Sequence, residues 1–144
     1  MIDSKRLIIF VCTGNTCRSP MAEALFKSML SEEQKQHICV ISRGIAAVSG
    51  QPAADNAVAV MREYGCDISS HKAKNLSESE MASADMLVCM TGSHAAALEV
   101  SGVPRRKLEV LGVPDPFGGS IDDYRVAAAR IKSEIEKLYE YITE

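Results

Sequence analysis

Short apolar runs and longer amphipathic stretches alternate along the chain. Apolar runs of strand length predict β-strands over residues 6–12, 37–44, 85–90 and 107–113. Helical spacing and helix-capping residues predict helices over 20–31, 55–64, 77–84, 93–100 and 121–142. The last helix carries an apolar face formed by Tyr124, Ala128, Ile131, Ile135, Leu138 and Ile142.

This alternation predicts an α/β fold in three layers. Uniformly apolar strands joined by helices are typical of a parallel sheet covered by helices on both faces. Right-handed crossovers place the loops after the first and the fourth strand at the same edge, the carboxyl ends of the strands. The small residues of segment 46–52 predict a loop that borders a cleft there. A chain of 144 residues without repeats or linkers is expected to form one domain, residues 1–144.

Composition narrows the class of protein. The chain is 47% apolar with a formal net charge of −3, and its mean hydropathy is −0.01. These values are typical of a soluble globular protein and argue against affinity for nucleic acid or anionic membranes, so the basic cluster 104–107 is interpreted as a solvated patch. No apolar run reaches membrane-spanning length and residues 1–6 begin no signal-peptide pattern, so we expect a cytoplasmic protein. The oligomeric state stays open, with a monomer as the simplest expectation.

The most informative segment is the loop between the first strand and the first helix. Cys12 ends the strand and Arg18 follows after five residues, a spacing that allows one turn of backbone around a tetrahedral oxyanion. Gly14 and Asn15 tolerate positive φ, and Arg18 can hold two phosphate oxygens with its planar fork. The amides of the loop would contribute further donors to a bound phosphate, from Thr13, Gly14, Asn15, Thr16 and Cys17.

The start of the following helix fits the same interpretation. Ser19 is a good N-cap, and Pro20 suits the first helical position because its missing N–H has no helical partner there. The positive environment favours the thiolate of Cys12, which would be a nucleophile for covalent phosphoryl transfer. The Ser19 hydroxyl, if it reaches the sulfur, would stabilise that anion. An ordinary buried cysteine in a strand-to-helix turn is the alternative.

A cysteinyl-phosphate reaction also needs an acid for the leaving group. Asp115 is the candidate, because the prolines at 114 and 116 restrict its backbone and the glycines at 118 and 119 allow a turn behind it. A plain Asp-Pro turn leading to Ser120, the cap of the last helix, is the alternative.

These residues give the chain a resemblance to the low-molecular-weight protein tyrosine phosphatases over essentially all 144 residues. The resemblance implies that Cys12 is the nucleophile, Arg18 the phosphate ligand and Asp115 the general acid and then base. It also implies the sheet order 2-1-3-4, and that His71 supports the loop from behind. A role as an ordinary surface histidine stays open for His71.

The loop also bears on the substrate. Thr16 and the segment from Asp115 through Phe117 to Ser120 resemble the protein arginine phosphatase branch of the family. A hydroxyl at Thr16 makes the cleft wall more polar, which suits a guanidinium better than a phenyl ring, while Phe117 can stack on either. We therefore expect phosphoarginine in phosphorylated proteins as substrate, with phosphotyrosine as the alternative. The alternative that Thr16 is a β-branched loop residue with no influence on selectivity also stays open.

The chain has five cysteines and no Cys/His spacing typical of a metal site, so we expect neither metal nor cofactor: Cys12, Cys17, Cys39, Cys66 and Cys89. Because Cys17 shares the loop with Cys12, one hypothesis is that it forms a disulfide with an oxidised Cys12 and so prevents over-oxidation. The alternative is that Cys17 has no redox role. An arsenate reductase of the same fold would need two further cysteines in a segment after the third strand, and the chain has only Cys89 there, itself within the predicted strand. A phosphate-binding module without catalysis would have no use for Cys12 or Asp115. An interaction protein using the basic spot at Arg105 has no other support in the sequence.

Overall fold

A parallel sheet of four strands forms the centre of the computed structural model, which describes residues 5–144. The order is β2-β1-β3-β4, as the family resemblance implies. The strands are β1 (Arg6–Cys12), β2 (Ile38–Gly44), β3 (Met86–Cys89) and β4 (Leu108–Val110). All three strand pairs are parallel, and the register aligns Cys12 with Gly44 and Val11 with Cys89.

Helices cover both faces of the sheet, which confirms the three-layer prediction. They are α1 (Arg18–Met29), α2 (Glu32–His37), α3 (Asp55–Glu63), α4 (Glu78–Ser83), α5 (Gly92–Val100) and α6 (Ile121–Thr143). The larger core packs α1, α3 and α6 against one face, and includes Phe10, Met21 and Ile131. The smaller core lies on the other face under α4 and α5, around Val11 and Leu98. The apolar face predicted for α6 is buried, with Leu138 partly so.

Two short helices were not predicted. Helix α2 has the sequence EEQKQH and buries no residue, so it carries no apolar periodicity. It forms because the Ser31 side chain accepts from the Gln34 N–H while the Gln34 side chain accepts from the Ser31 N–H. A 3₁₀ turn, Arg105–Lys107, occupies the start of the predicted fourth strand.

The fourth strand also ends earlier than predicted. Gly112 adopts a φ of 71°, which breaks the extended backbone after Val110. The chain nevertheless stays beside β3, because Leu111 N–H donates to Cys89 O and Val113 N–H donates to Met90 O. This path carries residues 114–119 to the carboxyl edge of the sheet.

Within residues 5–144, no helix is long and apolar enough to cross a membrane. The prediction that no signal peptide begins the chain rests partly on residues 1–4, which lie outside the described residues.

Candidate active site

The loop that joins β1 to α1, residues 12–18, is called the Cys12 loop below. Cys12 is the last residue of β1 and is 3% exposed. Its Sγ lies 2.8 Å from Ser19 Oγ and 3.3 Å from the Asn15 N–H nitrogen. The sulfur is therefore held between a hydroxyl and a backbone donor, both of which suit a thiolate.

Asn15 organises the inside of the loop. Its Oδ1 accepts the Lys74 N–H at 2.9 Å, so its Nδ2 donates to Ser19 Oγ at 2.9 Å and to Ser42 Oγ at 3.0 Å. Because Ser19 Oγ accepts a hydrogen from Asn15, its own hydrogen is free to point at the sulfur of Cys12. The buried amide thus sets the direction of the bond that reaches the nucleophile.

Of the two loop residues predicted to tolerate positive φ, Asn15 adopts it, with a φ of 56°, and Gly14 does not. One prediction about the start of α1 was wrong. Ser19 does not cap α1: the helix begins at Arg18 with Cys17 as its N-cap, and the Ser19 hydroxyl is bonded to Cys12 and Asn15 instead. Pro20 is the third residue of α1, still in the first turn, where a missing N–H costs no helical bond.

The loop is supported from behind by neighbouring segments. His71 Nε2 lies 2.7 Å from the Asn15 carbonyl oxygen. The N–H groups of Ile45 and Ala46 donate to Cys12 O and Thr13 O, each at 3.0 Å. This close approach requires glycine at position 44, since a Cβ there would lie 2.6 Å from Thr13 O. The structure thus places His71 against the loop, as the family resemblance implies.

Arg18 joins the loop to the segment that follows β4. It is 4% exposed, its Nη1 donates to Val113 O at 3.0 Å, and its Nη2 lies 3.5 Å from Asp115 Oδ2. Its buried Nε has no hydrogen-bond partner among residues 5–144. A buried donor without a partner is costly, so the Nε–Nη2 edge is suited to receiving two oxygens of an anion.

The Asp115 segment, residues 114–119, forms the opposite wall. The Asp115 side chain is 49% exposed, and its Oδ1 accepts the Phe117 N–H at 3.0 Å. Its other oxygen, Oδ2, is the one near Arg18. The carboxylate is therefore oriented by one backbone bond and one charged neighbour while staying open to solvent.

A cleft of about 230 Å3 brings most of the predicted residues together. It is lined by Cys12, Thr13, Gly14, Thr16, Cys17, Arg18, Gln51, Asp115 and Phe117. Asn15 and Ser19 are fully buried, and with His71 they lie outside this lining. Gln51 comes from the segment 46–52, so the prediction that this loop borders the cleft is confirmed.

Cys17 faces a buried tyrosine. Its Sγ lies 3.3 Å from the Tyr124 hydroxyl and 3.7 Å from Thr16 Oγ1. Burial raises the pKa of the Cys17 thiol, and the hydrogen bond from Tyr124 only partly offsets this. Cys17 is therefore a neutral thiol at neutral pH, unlike a thiolate nucleophile.

Several contacts at the site escaped the sequence analysis. Ser42 is a polar residue at a buried position of β2, where the alternation predicts an apolar one. This exception in the sequence could have indicated that Ser42 has a buried polar partner. His94 is 3% exposed and its Nε2 lies 2.8 Å from Thr13 Oγ1. The spacing Thr91-x-x-His94, typical of a helix-capping pair at the start of α5, could have drawn attention to this histidine.

No group of three or more His, Cys, Asp or Glu side chains with metal-binding geometry occurs within residues 5–144.

Comparison with known proteins identifies relatives over nearly the whole chain. The model of the family described as low molecular weight phosphotyrosine protein phosphatase matches residues 7–144. The protein-arginine-phosphatase of Bacillus subtilis (strain 168) is 40% identical over 141 residues, which cover 91% of this chain and 90% of that protein.

Solved structures agree with the sequence relatives. A cysteine-to-serine mutant of the YwlE arginine phosphatase with a phosphorylated active-site serine has a TM-score of 0.87 and 36% identity, covering 96% of this chain and 96% of that one. A low molecular weight protein tyrosine phosphatase from T. tengcongensis has a TM-score of 0.85 and 38% identity, covering 95% of this chain and 99% of that one. The chain therefore belongs to the low molecular weight phosphotyrosine protein phosphatase family and is a cysteine-dependent protein phosphatase.

Proposed function

We propose that the chain hydrolyses the P–N bond of phosphoarginine in proteins through a cysteinyl-phosphate intermediate. The observation that carries the proposal is the position of Thr16 in the lining of the cleft that also holds Cys12, Arg18 and Asp115. The residues of this cleft supply a binding site, a nucleophile and an acid for the reaction.

Binding uses the positive end of the site. The phosphoryl oxygens would be held by the amides of the Cys12 loop, by the N-terminus of α1 and by the Nε–Nη2 edge of Arg18. The unpartnered Nε of Arg18 supports this role, since an oxyanion satisfies a buried donor that has no bond to residues 5–144. The phosphorus is thereby placed above the sulfur of Cys12.

The first chemical step transfers the phosphoryl group to the enzyme. The Cys12 thiolate forms the S–P bond as the P–N bond breaks, and Asp115 gives its proton to the departing guanidino nitrogen. The product arginine leaves as a guanidinium, and Asp115 is left as a carboxylate. The 49% exposure of the Asp115 side chain fits a group that must meet both leaving group and water.

The second step regenerates the enzyme. The Asp115 carboxylate takes a proton from water, the oxygen attacks phosphorus, and the S–P bond breaks to release inorganic phosphate and the Cys12 thiolate. The Ser19 hydroxyl, 2.8 Å from the sulfur, would stabilise the departing thiolate. The relative with a phosphorylated active-site serine in place of a cysteine supports phosphorylation at this position.

The wall of the cleft favours phosphoarginine through a small polar residue. Thr16 is 8% exposed, so its small, polar side chain is a packed part of the wall. A larger aliphatic residue there would narrow the cleft and favour a flat apolar ring. Once it has given up its proton, the Asp115 carboxylate would pair with the leaving guanidinium, and the ring of Phe117, 70% exposed, can stack on the guanidinium plane. The B. subtilis relative named protein-arginine-phosphatase supports this preference.

Phosphotyrosine is the second candidate, because Phe117 would stack equally well on a phenyl ring. The relative from T. tengcongensis, named a protein tyrosine phosphatase, supports it.

The position of Cys89 argues against arsenate reductase activity. Cys89 is fully buried in β3, and burial raises the pKa of its thiol to about 12, so this thiol is a poor nucleophile for a thiol relay.

The test of selectivity compares kcat/KM for a phosphoarginine peptide and a phosphotyrosine peptide. Wild type should prefer phosphoarginine, and Thr16→Ile should shift the ratio of the two values towards phosphotyrosine by roughly tenfold or more. Thr16→Ser, which keeps the hydroxyl, is the matched control and should preserve the wild-type preference. An unchanged ratio in Thr16→Ile would refute the role of Thr16, and a wild-type preference for phosphotyrosine would refute the phosphoarginine assignment.

The test of the mechanism uses Cys12→Ser. This variant should lose turnover of both peptides while still binding inorganic phosphate in calorimetry, since Arg18 and the loop amides remain. Undiminished turnover would contradict the covalent mechanism. Loss of phosphate binding together with turnover would contradict the assignment of the anion site to Arg18 and the amides.

A further inference from the structure

A buried histidine outside the proposed catalytic group touches the Cys12 loop. His94 is the third residue of α5 and is 3% exposed. Its Nε2 lies 2.8 Å from Thr13 Oγ1, across 81 residues of sequence. Thr13 immediately follows the nucleophile and lines the cleft. The contact therefore links a helix on the smaller-core face directly to the loop that binds the anion.

The hydrogen bonds of the ring define its tautomer. Nδ1 lies 3.2 Å from the Thr91 backbone nitrogen, whose N–H donates to it, and 3.0 Å from Thr91 Oγ1. A ring nitrogen that accepts an N–H carries no proton, so the proton of the neutral imidazole is on Nε2 and is donated to Thr13 Oγ1. Burial and the nearby Arg18 guanidinium lower the pKa of His94, only partly offset by Asp115, which keeps the ring neutral at neutral pH.

Thr13 is consequently held at two points. Its carbonyl oxygen accepts the Ala46 N–H at 3.0 Å, and its hydroxyl oxygen accepts from His94. One bond comes from the segment after β2 and the other from α5. With both bonds in place, the Thr13 side chain and the peptide unit between Thr13 and Gly14 have a fixed orientation at the start of the loop that the proposed function takes as the oxyanion site.

We propose that His94 is a positioning residue of the Cys12 loop: through its Nε2–H bond to Thr13 it orients the first turn of the loop for oxyanion binding. The inference rests on the proposed function in taking the loop as the oxyanion site, and it is independent of whether the leaving group is arginine or tyrosine. His94 acts through Thr13 and takes no part in proton transfer.

Two substitutions of His94 separate this role from a structural one. Asn places its Oδ1 where Nδ1 stands, so His94→Asn keeps the bond from Thr91 N–H but is too short to reach Thr13. Gln places an amide nitrogen near Nε2, so His94→Gln keeps a donor for Thr13. If His94 only caps α5 and fills space, His94→Asn should be closer to wild type than His94→Gln. If His94 positions Thr13, His94→Gln should be the closer of the two.

The measurement is the inhibition constant of orthovanadate, an oxyanion probe, with an aryl phosphate as substrate. One neutral hydrogen bond corresponds to an increase of about fivefold in this constant for His94→Asn, with His94→Gln within about twofold of wild type. Thr13→Val should reproduce the increase, and the double variant His94→Asn/Thr13→Val should show no further increase. Thr13 is exposed, so Thr13→Val gives the answer even if His94→Asn does not fold.

Three results would overturn the inference: an unchanged constant in Thr13→Val, an equal loss in His94→Asn and His94→Gln, or additive effects in the double variant. Failure of the proposed function is a different result. A wild-type enzyme that orthovanadate does not inhibit would remove the oxyanion site itself, whereas inhibition of wild type with no change in the variants removes only the role of His94.

Discussion

The Cys12 loop and the Asp115 segment meet at one edge of the sheet but are built in opposite ways. In the loop, Asn15 is fully buried and Arg18 is 4% exposed, and Ser19, which follows the loop in α1, is fully buried as well. In the segment, the Asp115 side chain is 49% exposed, and Phe117 is 70% exposed. One wall of the cleft is thus part of the protein interior, and the other is part of its surface.

Hydrogen bonding follows the same division. The Asn15 side chain alone makes three bonds, to the Lys74 N–H and to the hydroxyls of Ser19 and Ser42. Asp115 is oriented by one backbone bond, from the Phe117 N–H, and by Arg18 at 3.5 Å. The difference matches the proposed chemistry: an oxyanion site and a nucleophile need fixed geometry, whereas an acid that meets a leaving group and then water needs access.

The comparison predicts that Asp115→Asn changes activity without changing stability. The amide cannot donate the catalytic proton in this way, so kcat for phosphoarginine should fall by about 10²- to 10⁴-fold. Asn keeps an oxygen for the Phe117 N–H, and the site is half exposed, so the midpoint of urea unfolding should stay at its wild-type value. Steady-state kinetics and urea titration of the same sample test both statements.

An aryl phosphate with an acidic phenol provides the control for that variant, because a good leaving group needs little protonation and its kcat should fall less. An equal fall for both substrates would show that Asp115 does not act as the acid. A large loss of stability would show that the segment is as tightly built as the loop, which breaks the comparison.

The opposite variant, Asn15→Ala, should lower stability as well as activity. It removes the partner of the Lys74 N–H and leaves alanine at a φ of 56°. We expect the free energy of unfolding to fall by about 3 kcal/mol, of which Asn15→Gly recovers about 1 kcal/mol by relieving the backbone. Urea denaturation of the three proteins gives both differences, and Asn15→Ala with wild-type stability would contradict the role assigned to the buried network.

Ser19→Ala tests the same wall by chemistry. Without the hydroxyl 2.8 Å from the sulfur, the thiolate is a poorer leaving group, so breakdown of the cysteinyl phosphate should slow by roughly 10- to 100-fold. Rapid mixing should then show a burst of one equivalent of released product followed by slow turnover. A reduced kcat without a burst would mean that Ser19 assists the first step instead.

The two walls also differ in how much of them the sequence could predict. Parallel topology alone predicts that Cys12 and Asp115 lie at one edge of the sheet, and the sheet order 2-1-3-4 that the family resemblance implies is confirmed. The bonds of Asn15 to Ser42 and of Thr13 to His94 were not predicted, because they join residues 27 and 81 positions apart and depend on distances that no pattern encodes.

Local errors have local causes. Ser19 and Pro20 have the composition of a helix start, and the capping rules describe that composition correctly. The helix nevertheless begins at Arg18, because the Ser19 hydroxyl is bonded to the sulfur of Cys12. A hydroxyl that is bonded to Cys12 and Asn15 inside the protein is thus withdrawn from the capping role that local propensity would give it.

The smallest predicted effect concerns the link between the two walls. Tyr124, buried in the first turn of α6, has its hydroxyl 3.3 Å from Cys17 Sγ. Because α6 begins at Ile121, directly after the Asp115 segment, this contact links the Cys12 loop to the helix in which that segment ends. Tyr124→Phe keeps the buried ring and removes only the link, so stability should stay near wild type while kcat/KM falls by about fivefold.

Combining Tyr124→Phe with Asp115→Asn identifies the wall on which the link acts. If it positions the acid, its effect on kcat/KM should disappear once Asp115 is replaced, because there is no acid left to position. If it steadies the Cys12 loop, the full effect should persist in the double variant. We expect it to disappear, because the loop already has the bonds of Asn15, His71 and Arg18, whereas the exposed segment has few contacts of its own to replace the lost one.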